Sequence, residues 1–253
     1  MNRWRVAANG ATVANALVGV GAVAYILLGN PLFATLLIAI GVGFDGLDGL
    51  LSRRAPSSGS GAFGRVADSV ADAITFGLAP ALLIGDHQLQ AYDWASVALA
   101  AALVGALYFA LAVARLVYFT LYGYQRSYFL GVPTPQSALA IVWLSAAFFV
   151  PAFFGVQTTT FLALATVVAL LMVVPLPFPK VRRGSAWRLP SAVTAVAAAL
   201  MLVPLQFRPG TGSLLFDLAF AAGAVMAVGL LGYYLLGPWT EWRAFSPRAG
   251  EGR

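Results

Sequence analysis

Four aspartates gather in one short region of an otherwise apolar sequence. Asp45 and Asp48 are three residues apart, and Asp68 and Asp72 are four residues apart. If both segments are helical, these spacings place each pair on one helical face. Four carboxylates so close together would repel one another strongly unless a cation neutralised them. The pattern therefore predicts a divalent metal site, because hard cations such as Mg²⁺ prefer carboxylate oxygens and often bind substrate phosphates as well.

Metal ions in such a cluster suit phosphoryl transfer, because a pair of them can clamp the attacking and leaving oxygens of the displacement. Two other interpretations are open. The aspartates could form interfacial salt bridges with Arg53, Arg54 and Arg65, or they could line the ion pathway of an ion-coupled membrane transporter. We favour the metal site because all four acids lie near predicted helix ends, whereas transporter sites often use helices broken at mid-membrane.

The elements that must position these aspartates are membrane-spanning helices. The chain has 253 residues, of which 60% are hydrophobic and 9% are charged, whereas soluble domains use about 25% charged residues. A stretch of about 20 apolar residues spans a bilayer. The sequence thus predicts an all-α polytopic membrane protein with about eight spans, at 11–28, 31–51, 66–84, 94–121, 134–154, 158–176, 189–205 and 213–236.

Basic residues mark one side of the predicted membrane. With eight alternating spans, the two ends of the chain and the loops rich in Arg and Lys fall on the same side, opposite Asp86, His87 and Asp93. The positive-inside rule then places both termini and the aspartates in the cytoplasm of a multi-pass cell-membrane protein. Because the basic residues are dispersed among apolar spans, anionic lipid headgroups and phosphate substrates are favoured as partners and nucleic acid is not. The absence of cysteine excludes disulfides and thiolate chemistry.

The chain divides at about residue 188. We expect residues 1–188 to form a catalytic unit of six transmembrane helices that contains the aspartates at 45–72, because nearly all residues with chemical potential precede Arg188. Residues 189–253 would add two further transmembrane helices and a basic cytoplasmic tail.

The aspartate region resembles the signature of the CDP-alcohol phosphotransferase family, DxxDGxxAR…GxxxDxxxD. The matching residues, all but one of them identical to the signature, are Asp45, Asp48, Gly49, Ser52, Arg53, Gly64, Asp68 and Asp72. Ser52 stands where the family usually has Ala, and the loop between Arg53 and Gly64 is longer than usual. Neither departure removes a carboxylate.

This resemblance implies a six-helix core with a binuclear Mg²⁺ or Mn²⁺ centre. Asp45, Asp48 and Asp68 would hold the metals, and Asp72 would contact metal and act as general base on the acceptor hydroxyl. The CDP pocket would be lined by Asp48, Gly49, Ser52, Arg53 and Gly64. A homodimer is also implied by the resemblance.

Other segments are similar to the phosphatidylserine synthase branch of that family. They are Thr12-Val-Ala-Asn15, Ala114-Arg115-Leu-Val-Tyr-Phe119, Gly131-Val-Pro-Thr-Pro-Gln-Ser-Ala138 and Phe178-Pro-Lys180. Thr12 and Asn15, which share a helical face, are expected to bind the nucleotide, although interhelical hydrogen bonds would also explain them. Arg115 and Arg126 are expected to bind the acceptor, because a guanidinium pairs bidentately with a carboxylate or a phosphate.

The expected activity is metal-dependent transfer of a phosphatidyl or archaetidyl group from a CDP-activated lipid to the hydroxyl of L-serine, with release of CMP. Glycerol phosphate or inositol phosphate as acceptor would use the same chemistry, and both alternatives stay open.

Overall fold

The computed structural model describes residues 3–52, 62–85, 95–123, 128–150, 157–180 and 185–245. Its elements in chain order are α1 (Arg3–Leu27), α2 (Pro31–Ser52), α3 (Ala62–Asp72), the π-helix π1 (Ala73–Leu78), α4 (Ala79–Ile84), α5 (Ala95–Tyr118), the π-helix π2 (Phe119–Gly123), β1 (Tyr128–Leu130), α6 (Thr134–Phe149), α7 (Thr158–Leu171), β2 (Pro177–Pro179), α8 (Arg188–Gln206) and α9 (Leu214–Phe245).

The predicted all-α, multi-pass architecture is confirmed. Within the described residues, six segments are long and apolar enough to cross a membrane: Val6–Leu27, Pro31–Ser52, Val66–Ile84, Ser96–Tyr122, Arg188–Gln206 and Leu214–Thr240. The third of these joins α3, π1 and α4 into one continuous span. Two further apolar helices, α6 and α7, are shorter. The 14 residues of α7 extend only about 21 Å, less than the hydrocarbon thickness of about 30 Å.

The predicted spans at 134–154 and 158–176 were too long at their C-terminal ends. Helix α6 ends at Phe149 and α7 at Leu171. Beyond α7 the chain contains Pro175, Pro177 and Pro179, which cannot donate the backbone hydrogen bonds that a helix requires. This proline-rich segment leaves the helix and forms β2 instead.

A two-stranded antiparallel ribbon, absent from the sequence prediction, joins the start of α6 to the end of α7. Tyr128 pairs with Pro179, and Phe129 with Phe178. Gly131 follows β1 with a φ of 71°, a conformation that favours glycine, and a Cβ there would overlap the Met172 carbonyl oxygen. Two of the segments that resemble the serine branch, at 131–138 and 178–180, are therefore neighbours in the fold.

The third span is the centre of the helix packing. Its π1 segment begins directly after Asp72 and packs against α1 and α5. The π-helix is rare and occurs frequently at functional sites. Two side-chain hydrogen bonds tie π1 to its neighbours: Thr75 Oγ1 donates to the Asn15 carbonyl at 2.9 Å, and Tyr108 Oη donates to the Phe76 carbonyl at 3.1 Å.

The last two helices dock on the earlier ones. Helix α8 packs on α9 and α2, while α9 also packs on α6 and β2. Gln206 Nε2 donates to the Leu32 carbonyl at 3.2 Å, and Trp143 Nε1 donates to the Gly223 carbonyl at 2.9 Å. These contacts attach α8 to α2 and α9 to α6.

Glycine allows α1 and α2 to approach Thr75 closely. A Cβ on Gly19 would collide with Thr75 Oγ1, and a Cβ on Gly41 would overlap Thr75 Cγ2 and lie 3.0 Å from Asn15 Oδ1. Neither neighbour can move freely, because Thr75 is buried and Asn15 is hydrogen-bonded to the third span. The position of the third span against α1 and α2 thus depends on these two glycines.

We predict that Gly41→Ala destabilises the protein, whereas Gly43→Ala in the same helix does not. Overpacking of this kind costs about 1–3 kcal/mol, while a Cβ on Gly43 meets open space and should contribute up to about 1 kcal/mol through helix propensity. Thermal midpoints followed by tryptophan fluorescence in detergent will compare the two variants. Equal midpoints would contradict the packing role of Gly41.

Candidate active site

Three of the four predicted aspartates converge in the described structure. Asp45 comes from the last turns of α2, and Asp68 and Asp72 come from α3. One carboxylate oxygen from each lies within 4.8 Å of the other two. Asp45 and Asp68 are half-buried, and Asp72 is buried with 8% of its surface exposed. Sequence spacing thus predicted correctly that residues from two helices would meet.

Asp48 lies beside this triad. It sits almost one helical turn beyond Asp45, where Thr12 Oγ1 donates to its Oδ2 at 2.8 Å. Its carboxyl group also interacts electrostatically with those of Asp45 and Asp68. The four carboxyl groups therefore form one cluster, with three oxygens at a common point and Asp48 at its edge.

The donor set fits divalent metal ions. All the groups are carboxylates, which suit Mg²⁺ and Mn²⁺. Two ligands of one Mg²⁺ lie at most about 4.2 Å apart, because each bond is about 2.1 Å long. Oxygens within 4.8 Å of one another therefore need only small side-chain adjustments to share an ion.

The alternative interpretation of the aspartates named Arg53, Arg54 and Arg65 as salt-bridge partners. Arg53 and Arg54 lie outside the described residues, as does the side chain of Arg65.

Asn15 holds the buried Asp72 in place. Its Nδ2 donates to Asp72 Oδ1 at 3.0 Å, and Asn15 itself is only 1% exposed. Thr12 and Asn15, both expected to bind the nucleotide, thus each contact an aspartate. Their shared helical face, which the sequence indicated, directs them to the carboxylate cluster. Nucleotide binding by either residue stays a prediction.

The other residues predicted for the CDP pocket lie at the same end of the helices. Gly49 is half-buried, and Ser52 is exposed with its hydroxyl donating to the Gly49 carbonyl at 3.4 Å. Gly64 is exposed, and a Cβ there would meet nothing within 4 Å. Helix packing therefore does not explain glycine at position 64. Arg53 lies outside the described residues.

Arg115 is buried near the end of α5, with 6% of its surface exposed. Its guanidinium carbon lies 5.5 Å from the centre of the Phe129 ring. Lys180 Nζ lies 4.9 Å from the centre of the same ring and 5.3 Å from that of Phe119. Arg115 on α5 and Asp72 on α3 lie on helices that contact each other, so the predicted acceptor residue and the predicted base come from neighbouring helices. Arg126 lies outside the described residues.

Several residues of this region escaped the sequence analysis. Thr75, Tyr108 and Phe129 carry no motif signal of their own. Only the fold brings Thr75 to the backbone of Asn15, Tyr108 to that of Phe76 and Phe129 to Arg115. Lys180 lies in the segment Phe178-Pro-Lys180, whose resemblance to the serine branch was the sequence signal for it.

Comparison with known proteins agrees with this geometry. A sequence model of the family described as CDP-alcohol phosphatidyltransferase matches residues 5–231. The chain is 31% identical over 148 residues to an archaetidylserine synthase of Methanothermobacter thermautotrophicus, covering 58% of each chain. It is 31% identical over 144 residues to a CDP-diacylglycerol–serine O-phosphatidyltransferase of Mycobacterium leprae, covering 53% of this chain and 45% of the relative.

A Bacillus subtilis protein, also named CDP-diacylglycerol–serine O-phosphatidyltransferase, is 28% identical over 181 residues, covering 71% of this chain and 93% of the relative. The chain therefore spans about half the length of the first two relatives and nearly all of the third.

We predict that Mn²⁺ stabilises the protein through the aspartate cluster. At a concentration 100 times the dissociation constant, a ligand bound only by the folded state adds about 2.7 kcal/mol to stability. Asp45→Asn removes a ligand and also a repelling charge. The variant should therefore melt at a higher temperature than the wild type in EDTA but gain less from Mn²⁺. Thermal midpoints with EDTA and with Mn²⁺ measure both effects.

Asp217→Asn is the matched control for this experiment, because Asp217 is exposed on α9 and is absent from the cluster. It should keep the full Mn²⁺ shift. If Asp45→Asn also keeps the full shift, the cluster does not hold the metal.

Proposed function

This chain belongs to the CDP-alcohol phosphatidyltransferase family, and on that premise we propose that it transfers a phosphatidyl or archaetidyl group from a CDP-activated lipid to the hydroxyl of L-serine. The observation that carries the proposal is the cluster of Asp45, Asp68 and Asp72 in the same region as the buried Arg115. The names of the three relatives, each of which specifies serine, support this choice of acceptor.

In this mechanism Asp72 is the general base. An alcohol needs a base within hydrogen-bond reach to become a useful nucleophile near neutral pH. The Asn15 amide occupies Oδ1 of Asp72, which orients the carboxylate and leaves Oδ2 for the proton of the serine hydroxyl. The serine oxygen attacks the lipid-side phosphorus of the diphosphate, the bond from that phosphorus to the CMP oxygen breaks, and CMP leaves.

Asp45, Asp48 and Asp68, together with Asp72, would hold two Mg²⁺ or Mn²⁺ ions. When bound, such ions neutralise charge on the diphosphate and on the departing CMP. The hydrogen bond from Thr12 to Asp48 would keep that carboxylate turned towards the cluster.

The nucleotide would bind at the ends of α2 and α3. Gly49, Ser52, Arg53 and Gly64 would line its pocket, with Asp48 at the boundary between nucleotide and metal. The open space around Gly64 supports this proposal, because a glycine there lets a bulky ligand approach the backbone.

Arg115 would bind the acceptor carboxylate through its guanidinium fork. Phe129 packs against it and keeps it in a site of low dielectric, where ionic contacts are stronger. Arg126 would also bind the acceptor. The cytoplasmic location of the site and of both termini, contact with membrane lipids and a homodimeric state belong to the same proposal.

A second candidate acceptor is a phosphorylated polyol such as glycerol phosphate or inositol phosphate. The two cations of Arg115 and Lys180 on one phenylalanine ring would also suit a phosphate. A direct comparison of acceptors decides between the two candidates.

We predict that the purified protein releases CMP from CDP-activated lipid with L-serine in the presence of Mn²⁺ or Mg²⁺, and that EDTA abolishes the release. L-serine, glycerol 3-phosphate and inositol 1-phosphate should be offered separately. Release with a phosphorylated acceptor alone would keep the reaction but replace serine. Absence of release with every acceptor would favour the ion-coupled transporter.

We predict that Asp72→Asn lowers kcat by at least about 100-fold, the usual minimum contribution of a general base. Affinity for CDP-activated lipid should change much less, because the amide keeps the shape of the side chain. Single-turnover assays and lipid binding by fluorescence measure the two effects, with Asp217→Asn as a control expected to retain activity. Wild-type turnover by Asp72→Asn would exclude Asp72 as the base.

A further inference from the structure

Three buried polar atoms around Arg115 are not accounted for by the fold. They are Arg115 Nε, Ser137 Oγ and Tyr234 Oη, and within the described residues none of them has a hydrogen-bond partner. Buried polar groups nearly always have one. The three atoms come from α5, α6 and α9 respectively, so three separate helices each direct an unsatisfied group into the interior.

The three unsatisfied groups lie in one part of the protein interior. The hydroxyls of Tyr234 and Ser137 are neighbours without a well-formed hydrogen bond between them. Tyr234 and Phe129 pack against the same small cluster of Val132, Phe178 and Tyr233, and the Arg115 guanidinium lies over the Phe129 ring. Tyr234 and Arg115 therefore belong to the same part of the interior.

The neighbouring Tyr233 explains how α9 is held at this site. Its hydroxyl donates to the Pro179 carbonyl at 3.1 Å, and its ring stacks on Phe178 with centroids 5.6 Å apart. A Cβ on Gly237 would lie 3.0 Å from Pro179 Cδ, so α9 packs closely against β2, the strand that precedes Lys180. Tyr233 thus anchors the helix, whereas the hydroxyl of Tyr234 has no hydrogen-bond partner within the described residues.

We infer that α9 forms one wall of the acceptor pocket, where the hydroxyls of Tyr234 and Ser137 bind the ammonium group of an amino-acid acceptor. This inference rests on the proposed function and deepens it by naming what recognises the acceptor. Hydroxyl oxygens can accept hydrogen bonds from an ammonium group, which is a donor only, while Arg115 is itself a donor only and must bind the carboxylate.

The three substituents of serine then have three separate partners. The hydroxyl lies at Asp72, the carboxylate at Arg115, and the ammonium at Tyr234 and Ser137. Asp72, Arg115 and Ser137 lie in the region predicted to be catalytic, but Tyr234 lies in α9, beyond residue 188. The added C-terminal helices consequently take part in choosing the acceptor.

The test compares L-serine with glycerate, which keeps the carboxylate and the primary hydroxyl but has a hydroxyl in place of the ammonium. The full chain in detergent, with Mn²⁺ and CDP-activated lipid, gives KM for serine and KM or the inhibition constant for glycerate. Tyr234→Phe and Ser137→Ala should each raise KM for serine roughly tenfold, the loss expected for one hydrogen bond to a charged group. The constant for glycerate should change less, by about two- to fivefold, because its hydroxyl forms only a hydrogen bond between neutral groups.

Two tyrosine variants serve as matched controls. Tyr122→Phe, in π2 with an exposed side chain, should leave both constants unchanged. Tyr233→Phe should lower the melting temperature because it loses the bond to Pro179, whereas Tyr234→Phe should not. A lower melting temperature for Tyr234→Phe, with equal losses for serine and glycerate, would show that Tyr234 is structural and overturn the inference.

The outcomes separate the inference from the proposed function. If the wild type uses serine and both variants keep its KM, the inference fails and the proposed function stands. If the wild type releases CMP with a phosphorylated polyol but not with serine, or with no acceptor at all, both fail, since the ammonium site would have no ligand.

Discussion

The helices of this protein must hold together a group of carboxylates that repel one another. Asp45, Asp68 and Asp72 hold oxygens within 4.8 Å of one another, and each ionised pair at that distance would cost about 3 kcal/mol at an effective dielectric constant of about 20. The helices remain together because packing elsewhere opposes this cost. Gly19 and Gly41 admit Thr75 at the junction of three helices, one turn away from the aspartates.

The same junction connects stability with chemistry. Thr75 donates to the backbone of Asn15, and the Asn15 side chain donates to Asp72. A single chain of contacts therefore runs from a close-packed helix crossing to the proposed base. Because π1 starts immediately after Asp72, the local widening of the third span also sets which carbonyls face α1 and α5. One of them, from Phe76, accepts a hydrogen bond from the hydroxyl of Tyr108, which ties α5, the helix that carries Arg115, to the third span.

The surroundings of Arg115, the proposed acceptor residue, are built by different physical means in the second half of the chain. Prolines after α7 end that helix early, and the ribbon they form carries Phe129 and Phe178 on paired positions. Arg115 and Lys180 both lie over Phe129, while α9 packs on Phe178 through Tyr233. Cations, aromatic rings and tyrosine hydroxyls are thereby collected within an apolar helix bundle, where polar contacts are strong and unpartnered groups are costly.

The sequence alone predicted the helical membrane architecture and the aspartate pairs. Composition determined a membrane-spanning helical chain, and the spacing of Asp45, Asp48, Asp68 and Asp72 predicted two pairs of carboxylates, each on one helical face, because helical periodicity and hydrophobic length are local properties. Motif resemblance also indicated Arg115. Local signals of this kind identify elements and the faces they present.

Only the tertiary structure decided which side chains meet across elements. It placed Asn15 on Asp72, set Asp48 at the edge of the cluster, paired β1 with β2, and brought Tyr234 of α9 to Ser137 of α6. These contacts join residues far apart in the chain, and they depend on how closely helices approach and where prolines stop them. Periodicity within one segment predicts neither the distance between helices nor the point at which a helix ends. The residues proposed to bind the acceptor could therefore be grouped only from the packed structure.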